Sequence, residues 1–170
     1  MITFFAFLCF VGGVALLVVL ALIDLRICLL PNAYVFSFGV LGPLFHLITA
    51  WRFADPLDLA LGTLIGGGSL YVIRWAAQRF YGPDALGLGD VKLMLAAGLW
   101  LGTYYISLAL AAGALAGILH GLGISLHYRL KTGRFLPLQT LSLPAGPGFI
   151  IGILAAGVIK FWTLPQILSG

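Results

Sequence analysis

Between Lys92 and Arg129 the chain runs 36 residues without a formal charge, and no other feature restricts its possible folds so tightly. As one α-helix the run would be about 54 Å long, against a hydrocarbon core of about 30 Å. Burial inside a soluble domain is no alternative. The chain is 62% hydrophobic and 8% charged with a mean hydropathy of +1.14, whereas soluble domains are roughly half apolar and a quarter charged. The run must therefore fold back on itself within lipid. Hydrocarbon offers the backbone no hydrogen-bond partners, so only helices or a closed barrel are open to it, and these apolar runs lack a barrel's alternation. The expected fold is all-α: a polytopic membrane protein of about six transmembrane helices, with residues 1–170 as a single domain.

The remaining spans follow from the same accounting. Residues 2–23 are uncharged for 22 positions, enough for a first crossing. No basic segment precedes them and no small-residue cleavage pattern follows, so a cleaved signal peptide is not expected. A second span is expected from about Ala33 to Trp51, after the break at Pro31-Asn32, and a third from about Leu57 to Ile73. The long run becomes a hairpin turning at Gly102-Thr103-Tyr104-Tyr105, with Trp100 and the two tyrosines expected at the membrane surface. Its first limb, about Leu86 to Gly102, needs Asp90 and Lys92 to reach full length. A sixth span is expected from about Ala145 to Trp162. Gly66-Gly67-Gly68 and the row Ala109, Gly113, Ala116, Gly117, Gly121 read as surfaces for close helix packing.

Six crossings sort the cations by face. Arg26, Arg74, Arg79, Lys92, Arg129, Lys131 and Arg134 fall on one side, and only Arg52 and Lys160 on the other. The positive-inside rule makes the first side cytoplasmic. Two crossings separate Asp24 from the fourth span, so Asp24 and Asp90 share that side although 66 residues divide them; parity alone does not bring them together. The net charge of +4 is dispersed, which suits contact with anionic lipid and excludes a nucleic-acid surface. Cys9 and Cys28 form no CxxC pair and read as small apolar fillers.

Acids inside a membrane are costly and usually functional. Asp24 closes the first apolar segment; beside Arg26 it reads equally well as an interfacial residue. Asp90 ends Gly87-Leu88-Gly89-Asp90, where Gly87 and Gly89 are expected to free the backbone from helical geometry so that a substrate strand can approach. Two neighbouring Asp residues resist joint ionisation and share one proton. Such a pair hydrolyses a peptide bond without metal or side-chain nucleophile: one carboxylate activates water and the protonated partner polarises the carbonyl.

Asp24-Leu25-Arg26 with Leu30-Pro31-Asn32, followed by Gly87-Leu88-Gly89-Asp90-Val91-Lys92-Leu93, resembles the paired signatures of type IV prepilin peptidases, membrane aspartic proteases of the GxGD type. Leu143-Pro144-Ala145-Gly146-Pro147 is similar to that family's Pro-Phe-Gly-Pro element, with Ala145 in place of the aromatic. The likeness covers nearly the whole chain. It implies a catalytic pair, Asp24 and Asp90, supported by Gly87, Gly89, Lys92, Pro31, Asn32, Pro144, Gly146 and Pro147. It implies as substrate a prepilin or pseudopilin with a hydrophobic N-terminal helix, cut behind a short basic leader at the cytoplasmic face of a prokaryotic inner membrane. Many bacterial members also carry an insertion with two CxxC pairs and methylate the new N-terminus from S-adenosylmethionine. This chain resembles the short form without the insertion, as in tight-adherence pilus systems or archaeal flagellin processing. Neither zinc nor another cofactor is expected, and peptidase activity is a firmer expectation than methyl transfer.

The other polar residues have plainer readings. Lys92, two positions from Asp90, points about 200° away and reads as a headgroup anchor. Asp84 reads as a solvated loop charge, and Asp55 and Asp58 lie on the wrong side to join the pair. His46 and His120 are expected to hydrogen-bond neighbouring helices. Two other functions stay open. A presenilin-like protease would place Tyr before its first Asp and Pro-Ala-Leu near the end, where this chain has Ile23 and Pro144-Ala145-Gly146. A small transporter or pilus-assembly scaffold would use the two Asp residues for proton relay or charge pairing.

Overall fold

The computed structural model describes residues 2–81, 87–132 and 146–162. They form five helices: α1 (Ile2–Ile27), α2 (Asn32–Ile48), α3 (Pro56–Tyr81), α4 (Leu88–Thr132) and α5 (Gly146–Phe161). Apolar side chains such as Phe7, Leu22, Leu64, Val72 and Leu122 lie exposed around the outside, as they do when the surrounding solvent is lipid. α1, α3 and α4 contain stretches long and apolar enough to cross a membrane, and α2 and α5 are shorter apolar helices of 17 and 16 residues.

α4 is two helices in one continuous run. Gly102 has φ 69° and ψ −176°, a left-handed region that only glycine enters cheaply, and there the chain reverses. Gly66 of α3 faces both Met94, before the break, and Ile106, after it. The second arm of α4 then packs antiparallel on α5, with Ala109 opposite Gly152 and Gly117 opposite Gly148. The charge-free run is thus the hairpin its length demands, turned at the expected residue, and six helical segments result. Of the small residues expected at close helix contacts, Gly66 and Gly113 are there: a Cβ at Gly66 would come within 2.6 Å of the Met94 carbonyl oxygen and one at Gly113 within 2.9 Å of the Phe149 backbone, whereas a Cβ at Gly68 or Gly117 would meet nothing within 4 Å.

Several boundaries differ from expectation. α1 continues to Ile27 and places Asp24 inside its last turn; Cys28 at φ 50° then closes the helix, its N–H donating to the Asp24 carbonyl. α2 stops at Ile48, because the Thr49 hydroxyl turns back onto the Phe45 carbonyl and Ala50 and Trp51 take positive φ. α3 runs eight residues past Ile73, since Arg74 limits the apolar span but not the helix.

The core is centred on Trp100, which was expected at the membrane surface and is instead 4% exposed. Its indole stacks between Phe38 and Phe45, with ring centroids 5.6 Å away in each case, and Nε1–H donates to the Phe38 carbonyl at 2.7 Å. A buried indole needs such a partner. α2 packs against both α1 and α4, and so does α5.

Candidate active site

Asp24 ends α1 and Asp90 opens α4, and both lie at the end of the bundle where α3 and the second arm of α4 finish with Arg79, Arg129 and Lys131. Both side chains are buried, at 5% and 6% exposure. α5 brings them to one point. A Cβ added at Gly146 would lie 2.9 Å from Asp24 Cγ and 3.4 Å from Asp90 Oδ1, so the two carboxyl groups face each other across the start of α5. The Gly146 backbone N–H is directed at the Asp24 carboxyl, as a helix N-terminus favours for an acid. Asp24 Oδ2 remains buried without a hydrogen-bond partner among the described residues. Buried polar atoms are rarely left so.

The flanking motif residues divide by task. Pro31 caps α2 in extended conformation and turns the chain, so that Asn32 begins the helix with its side chain toward α4. Lys92, expected at a lipid headgroup, donates its ammonium to Asn32 Oδ1 at 2.9 Å. Gly87 precedes the helix; a side chain there would stand 3.0 Å from Asp90 Oδ2. Gly89 does not leave helical geometry as anticipated. It sits inside α4, and its missing side chain admits Leu30, whose Cβ would be 3.0 Å from an added methyl. Pro147 occupies the first turn of α5, where a missing N–H costs nothing. Pro144 and Asp84 fall outside the described residues.

A pocket of about 300 Å³ opens onto the pair, lined by Leu29, Leu30, Asn32, Gly87 and Lys92 around the two Asp residues. Cys28 also lines it and is exposed, contrary to its reading as a filler; the i, i+4 spacing from Asp24 was the available signal. Cys9 is buried as expected.

A second polar cluster lies at the opposite end, around the break in α4. Lys160 was assigned only to that face, yet it is 8% exposed and donates to the carbonyls of Trp100 and Leu101, both at 3.0 Å. Asp58 accepts the Thr103 backbone N–H at 3.0 Å. Each arm's unsatisfied helix end thus receives a charge of the sign its dipole favours. His46 Nε2 meets the Trp100 carbonyl at 3.0 Å, the interhelical bond expected of it, while His120 lies exposed.

These features define a polytopic helical membrane protein with a buried carboxyl pair at one end of the bundle. Residues 11–122 match the type IV leader peptidase family, a stretch holding both Asp24 and Asp90, and the chain belongs to that family. The chain is 36% identical over 102 residues to the prepilin leader peptidase/N-methyltransferase of Pectobacterium carotovorum subsp. carotovorum, covering 60% of this chain and 36% of that protein. It is 32% identical over 156 residues to the prepilin leader peptidase/N-methyltransferase of Aeromonas salmonicida (strain A449), covering 89% of this chain and 50% of that protein. The type 4 prepilin-like proteins leader peptide-processing enzyme of Escherichia coli O78:H11 is 33% identical over 144 residues, covering 83% and 48%. The chain spans half or less of the length of these relatives. No solved structure matches it.

Proposed function

We propose that this protein is an aspartic endopeptidase that removes the leader from type IV prepilins or prepilin-like proteins, with Asp24 and Asp90 as its catalytic residues. The observation that carries the reading is the convergence of both carboxyls on Gly146, with Asp24 Oδ2 unpartnered among the described residues. Family membership supports the substrate class. Two carboxyls so close hold one proton between them. The ionised member takes a proton from a water molecule as the water oxygen attacks the scissile carbonyl carbon, and the protonated member hydrogen-bonds the carbonyl oxygen. When the tetrahedral intermediate collapses, the C–N bond breaks and the leaving amine receives a proton from the pair. Gly146 keeps the space between the acids clear for water and peptide. The gathering of Arg26, Arg79, Arg129 and Lys131 at this end supports a cytoplasmic site in a prokaryotic inner membrane, next to anionic lipid. The substrate would present a polar leader followed by a hydrophobic helix.

A proton-relay transporter has less behind it. One turn or more inward from the acids lie Leu17, Leu20, Met94 and Ala97, all buried and none able to carry a proton. Incubating the chain in liposomes with a prepilin, and comparing Asp24→Asn and Asp90→Asn, tests the proposal. Each variant should lose cleavage; normal processing by either would refute the catalytic assignment.

A further inference from the structure

Two apolar clefts open on the lipid-facing side of the bundle. The larger, about 620 Å³, exists because α2 and α3 both pack on α4 and scarcely touch each other. Its floor is the first arm of α4 at Leu95 and Leu99, and its walls carry Val40 and Pro43 on one side and Thr63 on the other. The smaller, about 290 Å³, lies among α1, α4 and α5.

Of these two clefts among the described residues, the larger is continuous with the carboxyl pocket. Asn32 and Lys92 line both, joined to each other by their 2.9 Å hydrogen bond, whereas the smaller cleft shares no lining residue with the pocket. The larger cleft is also graded in polarity. Its polar side chains sit at the neck, except for Thr63, whose hydroxyl is spent on the Leu59 carbonyl at 2.9 Å. Beyond the neck the lining is hydrocarbon. From Asn32 to Pro43 along α2 is about 16 Å, room for about three turns of a docked helix. The lip is open to lipid at Phe36 and Val40, 73% and 50% exposed.

We infer that this cleft receives the apolar helix that follows the cleavage point, entering sideways from the bilayer, while the residues just before that helix cross the Asn32–Lys92 neck to reach Asp24 and Asp90. The inference rests on the leader-peptidase reading. Polarity order decides the occupant: a segment that is polar where it meets the acids and apolar for several turns afterwards matches the lining from neck to floor. A lipid chain would match the floor but supply no peptide at the neck. A bilayer helix lying in a groove of the enzyme loses no hydrophobic burial, so the gain comes from close packing and from presenting the peptide at a fixed distance from the acids.

Cross-linking in liposomes tests the placement. Cys9→Ser and Cys28→Ser remove the native thiols, Asp90→Asn holds substrate uncut, and a single cysteine is placed at Val40 or, as control, at Val72, a lipid-facing residue of α3 that is 62% exposed. A prepilin with one cysteine in the first three turns of its apolar helix should form a disulfide with Val40→Cys at least about tenfold more than with Val72→Cys. Equal yields, no prepilin adduct, or an adduct only between two copies of this chain would overturn the inference. In the otherwise unaltered chain, Val40→Trp should raise KM for the prepilin by about tenfold with kcat within about twofold, the pattern of a lost binding contact; an unchanged KM would overturn it as well. Failure of the leader-peptidase reading shows up separately, because the unmodified chain would then leave the prepilin uncut.

Discussion

Gly146→Ala is the most direct test of the geometry at the acid pair. A methyl at this position would stand 2.9 Å from Asp24 Cγ, closer still to its Oδ2, and 3.4 Å from Asp90 Oδ1. Carbon atoms pack comfortably at about 3.5–4.0 Å, so the Asp24 carboxyl must retreat by roughly 0.6 Å or more and the space for the attacking water shrinks. A misplacement near 1 Å at reacting groups costs about a hundredfold. The expected result is a fall in kcat of about two orders of magnitude, with KM within about threefold, since the substrate's helix does not meet this methyl. The assay is prepilin processing in liposomes, read as a mobility shift over time. Gly157→Ala, on the same helix with nothing within 4 Å of the added carbon, supplies the matched control and should process normally. If Gly146→Ala stays folded and cleaves within about threefold of the parent, the carboxyls do not work across this point and the argument fails.

Other outcomes follow from neighbouring features. A maleimide should label Cys28 and spare buried Cys9, and labelling should stop cleavage because Cys28 lines the carboxyl pocket; retained activity after full modification would show that substrate approaches elsewhere. Lys160→Met keeps the side chain's bulk but orphans the Leu101 carbonyl and leaves the Trp100 carbonyl to His46 alone. It should lower resistance to unfolding in denaturing detergent by about 1–3 kcal/mol, and an unchanged transition would mean that lipid or water caps the break equally well. The pH–rate profile should be bell-shaped, its two apparent constants belonging to the pair rather than to either acid, and a single-sided profile would argue against a shared proton.

Crossing number and charge were enough to place Asp24 and Asp90 at one end, because parity depends only on counting spans. Their convergence was not legible. α1 and α4 meet at few points, chiefly where the Trp100 indole reaches Gly13; α2 and α5 each pack on both and draw them together. That outcome hinges on non-local fits, Leu30 over Gly89 and Gly146 between the acids, which no local periodicity encodes. Lys160 misled for a related reason. A lone cation near the end of an apolar span reads as interfacial, and only the reversal at Gly102 exposes two carbonyls that draw it inward. Trp100 follows suit: its place in the core depends on the Phe38 carbonyl and on glycines at positions 13 and 42 making room for the indole. Motif residues whose partners are close in sequence were easier, as with Pro31 turning the chain into α2.

The unequal helix lengths also set how the bundle would meet a bilayer. α2 and α5, with 17 and 16 residues, reach only about 25 Å along their axes, whereas 26-residue α1 and α3 reach about 39 Å. A helix shorter than the hydrocarbon thickness is accommodated by local thinning of the bilayer, by flanking side chains reaching to the interface or by association with other helices. For a hydrolase of the kind proposed, thinning beside the short pair would bring headgroup hydration, the source of its water, closer to the acids.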